Sequence, residues 1–138
     1  MNTEVTNFDI INMINILERY TETRLPQKIS YAITRNIMLM QNDYKCYSDE
    51  LNKILKKYEK YMIKDNNQKI VTNQNGLSIV KDEAINDYND EICSLLNIKI
   101  NIKLYTIPIS SFNYEENGKY DSLLIKDIIA LQSILCEP

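Results

Sequence analysis

The sequence contains no histidine in its 138 residues. Histidine is the commonest general base and a frequent metal ligand, and Ser-His and Cys-His nucleophile pairs depend on it. Glycine is nearly as scarce, because Gly76 and Gly118 are the only two and stand far apart. No Gly-rich loop can therefore bring backbone amides onto phosphates, which excludes a P-loop and a Rossmann fingerprint. We predict that the protein is not an enzyme and uses no cofactor and no metal.

Cysteine and long apolar runs are also limited. Cys46, Cys93 and Cys136 are odd in number, scattered and without CxxC spacing, so we expect reduced thiols and no disulfide frame or zinc site. The apolar runs are too short to cross a bilayer, and the first residues lack the basic start of a signal peptide. The sequence therefore predicts a cytoplasmic protein with no membrane contact.

Basic residues are not in excess either. The chain has 16 Lys and Arg against 19 Asp and Glu, which gives a net charge of -3. Nucleic-acid binders usually carry the opposite balance, so we expect no direct nucleic-acid binding. With 44% hydrophobic and 25% charged residues, the composition is ordinary for a chain that buries a core. We predict a single domain over residues 1–138.

The strongest pattern present is an amphipathic segment over residues 25–62. Its apolar residues recur at steps of three or four, which places them on one stripe of an α-helix. They are Ile29, Ile33, Ile37, Met40, Tyr44, Tyr47, Leu51, Leu55, Tyr58 and Met62. Such a helix would be about 55 Å long, roughly twice the width of a domain of this size. The stripe needs cover along its whole length, so we predict a homodimer through the long helix or a host protein packed against it.

Shorter elements surround this helix. Thr6 or Asn7 can cap a first helix that ends near Tyr20. Its predicted buried stripe is Phe8, Ile11, Ile14, Leu17 and Met13. A third helix is predicted over residues 82–96, with Ile85, Tyr88, Ile92 and Leu95 on its apolar face, and a last helix from about Asp121 with Leu124, Ile128, Leu131 and Leu135.

Two regions predict strands. Residues 69–72 and 77–80 are short β-rich runs joined through Asn75-Gly76, a strong hairpin signal. Residues 98–104 alternate apolar and polar side chains with the period of a strand that has one buried face. The predicted fold class is therefore α+β, mainly helical, with a long helix hairpin packed beside a small antiparallel sheet of about three strands.

The segment Leu25-Pro26-Gln27-Lys28 with Asn36, followed by a long charged helix ending in Lys57-Tyr58, resembles a family of small proteins from tailed phages and prophages of Gram-positive bacteria. The resemblance continues at residues 101–107 and 128–137, which are similar to the terminal strand and helix of that family. The family is a domain of unknown function, so the resemblance implies a phage setting and no chemistry. Arg35 stands where the family usually has Lys, which keeps the charge and changes hydrogen-bond geometry.

The start of the long helix offers a candidate binding site. Arg24, Lys28 and Arg35 are close enough to share one end of the helix, where cations beside free N–H groups make an anion site. Tyr31 lies on nearly the same face and could stack on a base if the anion were a nucleotide. In the alternative interpretation Lys28 and Arg35 are solvated or paired with acids, while Pro26 and Asn36 shape the helix start and a buried polar contact.

These observations lead to one preferred functional hypothesis and two alternatives. The preferred hypothesis is a non-enzymatic phage accessory protein that binds and inhibits a host protein in the host bacterial cytoplasm, in particular an antiphage-defence component, as an anti-CRISPR protein does. The first alternative is a sponge that sequesters a nucleotide immune signal through Arg24, Lys28, Tyr31 and Arg35. The second alternative is a structural or morphogenesis factor of the virion.

Overall fold

The computed structural model describes residues 2–74, 76–115 and 118–138. Within them the chain forms two strands, four α-helices and two 3-10 turns. In chain order these are β1 (Asn2–Thr6), α1 (Asn7–Glu18), α2 (Gln27–Lys57), a 3-10 turn (Glu59–Tyr61), α3 (Asp82–Leu96), β2 (Lys99–Lys103), a 3-10 turn (Ile109–Phe112) and α4 (Ile125–Leu135). The mainly helical α+β class is confirmed, although the sheet has two strands where about three were predicted.

The sheet pairs β1 with β2 in antiparallel register. Thr3 stands opposite Ile102 and Val5 opposite Ile100, so these four residues share one face. Ile102 is buried in the core and Ile100 packs against it, which confirms the one-sided strand over Lys99–Lys103, whereas Ile98 at the start of the predicted run is exposed. The sequence did not predict β1, because Val5 is its only large apolar residue.

Helix α1 begins at the predicted cap. The N–H of Asp9 donates to Thr6 Oγ1 at 3.2 Å, and the N–H of Thr6 donates to Asp9 Oδ2 at 2.9 Å. This reciprocal capping box satisfies two N–H groups that have no partner inside the helix. The start of the first helix is therefore confirmed.

The predicted stripe of α1 is partly wrong. Phe8 is 52% exposed, whereas Ile10 is buried with Ile14 and Leu17. Phe8 lies two positions from Ile10, about 200° around the helix, so the two cannot share a face. The buried face therefore comprises Asn7, Ile10, Ile14 and Leu17, and Phe8 lies outside it.

Helix α2 is shorter than the predicted segment over residues 25–62, because it ends at Lys57 and is followed by the 3-10 turn at Glu59–Tyr61. Tyr58 and Met62 remain buried beyond its end. The Tyr58 ring packs edge-on against Tyr88 with centroids 5.4 Å apart, and Met62 forms a bridge with Val80. These tertiary contacts redirect the chain where the helical pattern alone would continue.

The predicted hairpin runs pair with each other and with residues 62–64. Three single antiparallel bridges join Met62 with Val80, Lys64 with Ile70 and Thr72 with Ser78. The N–H of Ile63 donates to the carbonyl of Ile79, Ile79 donates to Val71, and Val71 donates to Ile63. These runs form a closed triangle of three short segments and do not extend the β1–β2 sheet, which corrects the predicted strand count. Asn75 of the predicted turn lies outside the described residues.

The chain divides into two compact units. Unit 1 comprises Met1–Tyr44 and Lys99–Pro138, and unit 2 comprises Lys45–Ile98. The core of unit 1 contains Ile10, Ile14, Leu17, Leu25, Ile29, Ala32, Ile33, Met40, Ile102, Ile107, Phe112, Leu131, Ile134 and Leu135. The core of unit 2 contains Tyr58, Met62, Val80, Ala84, Tyr88 and Ile92. The single domain over residues 1–138 stays a prediction.

The other two helices follow the predicted patterns with small differences. Helix α3 has the predicted bounds, although Ala84 is buried and Ile85 is exposed. Helix α4 begins at Ile125, later than predicted, and Leu124 is its exposed cap. Among the described residues, no helix combines the length and the apolar character that a membrane span requires.

Candidate functional site

The first turns of α2 direct the predicted site residues outward. The carbonyl of Pro26 accepts the N–H groups of Ile29 and Ser30 at 3.0 and 3.1 Å, which opens the helix. Ile29 and Ile33 are buried in the core of unit 1, so the opposite side of the helix faces outward. Lys28 and Arg35 lie on that outward side and are exposed.

We define the basic-aromatic face as Lys28, Tyr31, Arg35, Met38 and Tyr105, all of which are in unit 1. The four α2 residues recur at steps of three or four, as one helix face requires. Tyr31 is 49% exposed, Met38 66% and Tyr105 40%. The Tyr31 and Tyr105 rings meet edge to face, with centroids 5.4 Å apart and planes at 73°. The face thus combines two cations with exposed aromatic and thioether groups.

Tyr105 is held in place by a buried side chain on the same helix. Asn36 has 0% exposure, its Nδ2 donates to the Tyr105 carbonyl at 2.8 Å, and its Oδ1 accepts the Tyr105 N–H at 2.7 Å. One amide therefore satisfies both backbone groups just beyond β2. This bond pair confirms the buried polar contact that the alternative interpretation assigned to Asn36.

Arg24 is the predicted site residue that the structure places elsewhere. Its Nε and Nη2 donate to Asp121 Oδ1 at 3.1 and 2.9 Å, and its backbone N–H donates to Oδ2 at 2.8 Å. The N–H of Asp121 donates back to the Arg24 carbonyl at 2.7 Å. The bonds from the Arg24 backbone and guanidinium lower the pKa of Asp121. Arg24 therefore ties the chain before α4 to the chain before α2.

Lys28 and Arg35 differ from Arg24 in having no carboxylate partner among the described residues. Lys28 is also in the first turn of α2, where the helix dipole disfavours a cation. The structure therefore brings Lys28, Tyr31 and Arg35 together on one face, and adds Met38 and Tyr105 to them. The alternating pattern after residue 98 places Tyr105 on the polar side of the strand with Lys103, but it carries no information about which helix Tyr105 meets.

A second cluster of ionisable groups lies in unit 2. Lys57 Nζ is 2.9 Å from Glu91 Oε1, and the Tyr58 hydroxyl and Lys57 together lower the pKa of Glu91. The Glu91 carboxylate in turn raises the pKa of Tyr58 to about 12. Acid-base catalysis near neutral pH needs groups that titrate near neutrality. The pKa values of Glu91 and Tyr58 are both shifted away from neutrality, which fits a structural role for this cluster.

Unit 1 also has an open groove of about 780 Å³. Val5, Met13, Leu104, Ile109, Ile129 and Ile134 are among its apolar lining residues. Cys136 lines the groove as well, and burial raises the pKa of its thiol, which stays protonated at neutral pH and is a weak nucleophile. Cys46, Cys93 and Cys136 are all free thiols, as predicted. Across the described ranges, no group of three or more acidic or cysteine side chains is placed to hold a metal ion.

Comparison of the chain with protein-family models, with curated proteins and with solved structures gave no match in any of the three. The resemblance of residues 25–36 to a phage family therefore stays a prediction from the sequence.

Proposed function

We propose that the protein is a non-enzymatic phage accessory protein that binds a host protein and inhibits it, acting in the host bacterial cytoplasm on an antiphage-defence component as an anti-CRISPR protein does. The observation that carries protein binding is the basic-aromatic face. Tyr, Met and Arg are enriched in the centres of protein interfaces, and Tyr31, Met38 and Arg35 expose these three types side by side. The phage setting comes from the sequence resemblance alone.

The dimensions of the face suit the centre of an interface. Residues 28–38 extend for about 15 Å along the helix axis. An interface of standard size buries about 800 Å² on each partner, which exceeds this strip, so flanking polar residues would form the rim. Inhibition follows if this interface covers a surface that the host protein needs for its own substrate or partner.

A nucleotide sponge is the second candidate, because Lys28 and Arg35 have no carboxylate partner among the described residues and Tyr31 exposes a ring between them. Arg24 weakens this candidate, because its guanidinium is bound to Asp121. Two cations are left to bind phosphate groups.

Self-association through α2 is a separate proposal from the sequence. Most of the predicted stripe is covered by the chain itself, with Ile29, Ile33 and Met40 in the core of unit 1 and Tyr58 in the core of unit 2. Tyr44, at 38% exposure, is the most exposed stripe residue. A homodimer through the helix would therefore centre on Tyr44, and light scattering at micromolar concentration tests it.

The test combines capture with activity. Tagged protein is isolated from the host, the retained proteins and extracted nucleotides are identified by mass spectrometry, and protection of a phage from host defence is measured. The double variant Tyr31→Ala/Met38→Ala should lose at least about tenfold in protection, because truncating a hot-spot residue at the centre of an interface costs about 2 kcal/mol or more and tenfold corresponds to about 1.4 kcal/mol.

The matched control is Leu124→Ala/Ile125→Ala, which also removes two exposed apolar side chains from unit 1. This control should retain protection. Its melting temperature should be similar to those of the unmodified protein and of the Tyr31→Ala/Met38→Ala variant. Full protection by Tyr31→Ala/Met38→Ala would contradict the proposal, and extracted nucleotides without a retained protein would favour the sponge.

A further inference from the structure

We infer that the partner of the basic-aromatic face is an acidic protein surface. This surface presents two carboxylates, one on each side of a group of apolar side chains. The inference rests on the proposed function, since it names the chemistry of the protein bound there. Three observations carry it: the local charge, the missing ion-pair partners and the spacing of the two cations.

The charge of this region opposes that of the chain. Residues 25–42 contain Lys28 and Arg35 and no Asp or Glu, which gives this stretch a charge of +2, while the whole chain has a net charge of -3. Electrostatic complementarity steers association and selects partners. A positive face on an acidic protein attracts an acidic surface and repels a second copy that approaches with the same face.

Lys28 is placed at a small cost to the fold. Lys28 lies in the first turn of α2, where a cation opposes the helix dipole, and neither Lys28 nor Arg35 has an ion-pair partner among the described residues. Residues that disfavour the fold locally are commonly retained for function. Carboxylates from a partner would supply the missing counter-charges.

The spacing defines the shape of the partner. Lys28 and Arg35 are seven residues apart, or about 10 Å along the axis, and Tyr31 lies between them. Two carboxylates at that separation, seven residues apart on a facing helix, would reach both cations. The apolar side chains between them would contact Tyr31 and Met38.

Nucleic acid fits this face less well. Proteins that bind nucleic acid commonly make about 6–10 phosphate contacts, and this face has two cations. The exposed Met38 side chain gains nothing from a phosphate, but it packs well against apolar protein groups.

The test uses a defined probe in place of the unknown host protein. The probe is a labelled peptide of about 20 residues, long enough to be helical, with two Glu seven positions apart and Leu between them. A second peptide has Gln at both positions. Fluorescence anisotropy at low salt should show the Glu peptide binding at least about tenfold more tightly, and added salt should reduce this ratio.

Two double variants locate the effect. Lys28→Gln/Arg35→Gln should abolish the preference for the Glu peptide, whereas Lys45→Gln/Lys53→Gln, which removes two exposed lysines of the same helix, should leave it unchanged. The inference would be overturned if the protein bound the two peptides equally. It would also be overturned if both double variants lost the preference for the Glu peptide to the same extent. Calorimetric binding of cyclic dinucleotides that the first variant abolishes, without any peptide preference, would overturn it as well.

The outcome separates this inference from the proposed function. Protein that prefers the Glu peptide but does not protect the phage would overturn the proposed function alone. Protein that protects the phage and binds both peptides equally would overturn the acidic partner alone.

Discussion

The two halves of α2 differ in whether their basic side chains are paired with carboxylates. In the first half, Lys28 and Arg35 have no carboxylate partner among the described residues, and no acid occurs before Asp43. In the second half three lysines are paired: Lys45 with Asp49, Lys53 with Glu50, and Lys57 with Glu91. The second half therefore carries both signs of charge in ion pairs, and Lys56 is its one lysine with no carboxylate partner among the described residues. The first half carries two cations without described counter-charges, which is the feature on which the proposed binding depends.

The two units differ in packing as well. The largest fully buried side chains are all in unit 1: Ile10, Leu17, Ile29, Ile33, Met40, Leu131, Leu135 and Asn36. The core of unit 2 is smaller and contains Tyr58 and Tyr88, whose rings meet edge to face. The buried core of unit 1 and the Asn36 hydrogen bonds support the basic-aromatic face from beneath. Such preorganisation reduces the entropic cost of binding a partner.

The largest expected effect tests this difference in packing. Ile33→Asp should cost at least about 4 kcal/mol, close to the whole stability of a marginal domain, because Ile33 is 1% exposed and the new carboxylate has no partner in the core. Leu51→Asp should cost about 1–2 kcal/mol, because Leu51 is only half-buried beside the core of unit 2. Chemical denaturation measures both.

Hydrogen exchange locates the damage from these two variants. Ile33→Asp should remove protection from residues 1–44 and 99–138, and Leu51→Asp from residues 45–98. If both variants lose protection over the whole chain, the two units unfold together and the comparison of their cores fails.

An intermediate loss of stability is expected when the buried side-chain amide of Asn36 is removed. Asn36→Ala should cost about 2–4 kcal/mol, because the N–H and carbonyl of Tyr105 both lose their partner. Asn42→Ala, at an exposed position on the same helix, should change stability by less than about 0.5 kcal/mol. Thermal melts compare the two, and similar melting temperatures would show that water replaces the Asn36 bonds.

The smallest expected effect is the change in stability when one lysine of α2 is replaced by Glu, and its sign is opposite in the two halves of the helix. Lys28→Glu should stabilise the fold by about 0.3–1 kcal/mol, because an acid in the first turn favours the helix dipole, and should weaken binding of the Glu peptide. Lys57→Glu should lower the melting temperature, because it places a carboxylate beside Glu91 and at the unfavourable end of the dipole. If Lys28→Glu lowered the stability as Lys57→Glu does, Lys28 would not oppose the helix dipole in the way we infer.

Much of the helical structure could be predicted from residue patterns. The Thr6 cap with Asp9, the bounds of α3 and the buried face of α2 each depend on residues within a few positions of one another. Strand β1 could not be predicted, because the polar sequence of Asn2–Thr6 becomes a strand only through its pairing with Lys99–Lys103. The pairing of residues 69–72 with 77–80 was predicted from the local turn signal, but the pairing of residues 62–64 with both runs was missed, because no local pattern marks it.

The candidate site divides in the same way. Helical spacing placed Lys28, Tyr31 and Arg35 on one face, and the structure keeps them there. Spacing also grouped Arg24 with them, but Asp121, which is 97 residues away in sequence, binds it instead. Tyr105 joined the face through Asn36, which is 69 residues away, and no local pattern links the two.

The sequence by itself determined where α1 is capped, which side of α2 is apolar and that α2 begins without acids, because helical period, capping and local charge depend only on neighbours along the chain. Only the tertiary structure decided that the Tyr105 ring would meet Tyr31 edge to face, that Asp121 would bind Arg24, and that Lys28 and Arg35 would have no carboxylate partner among the described residues. These contacts join distant segments, and they form because packing the cores brings those segments together. The basic-aromatic face is therefore a product of both levels, with its cations placed by the helix and its second aromatic ring supplied by the fold.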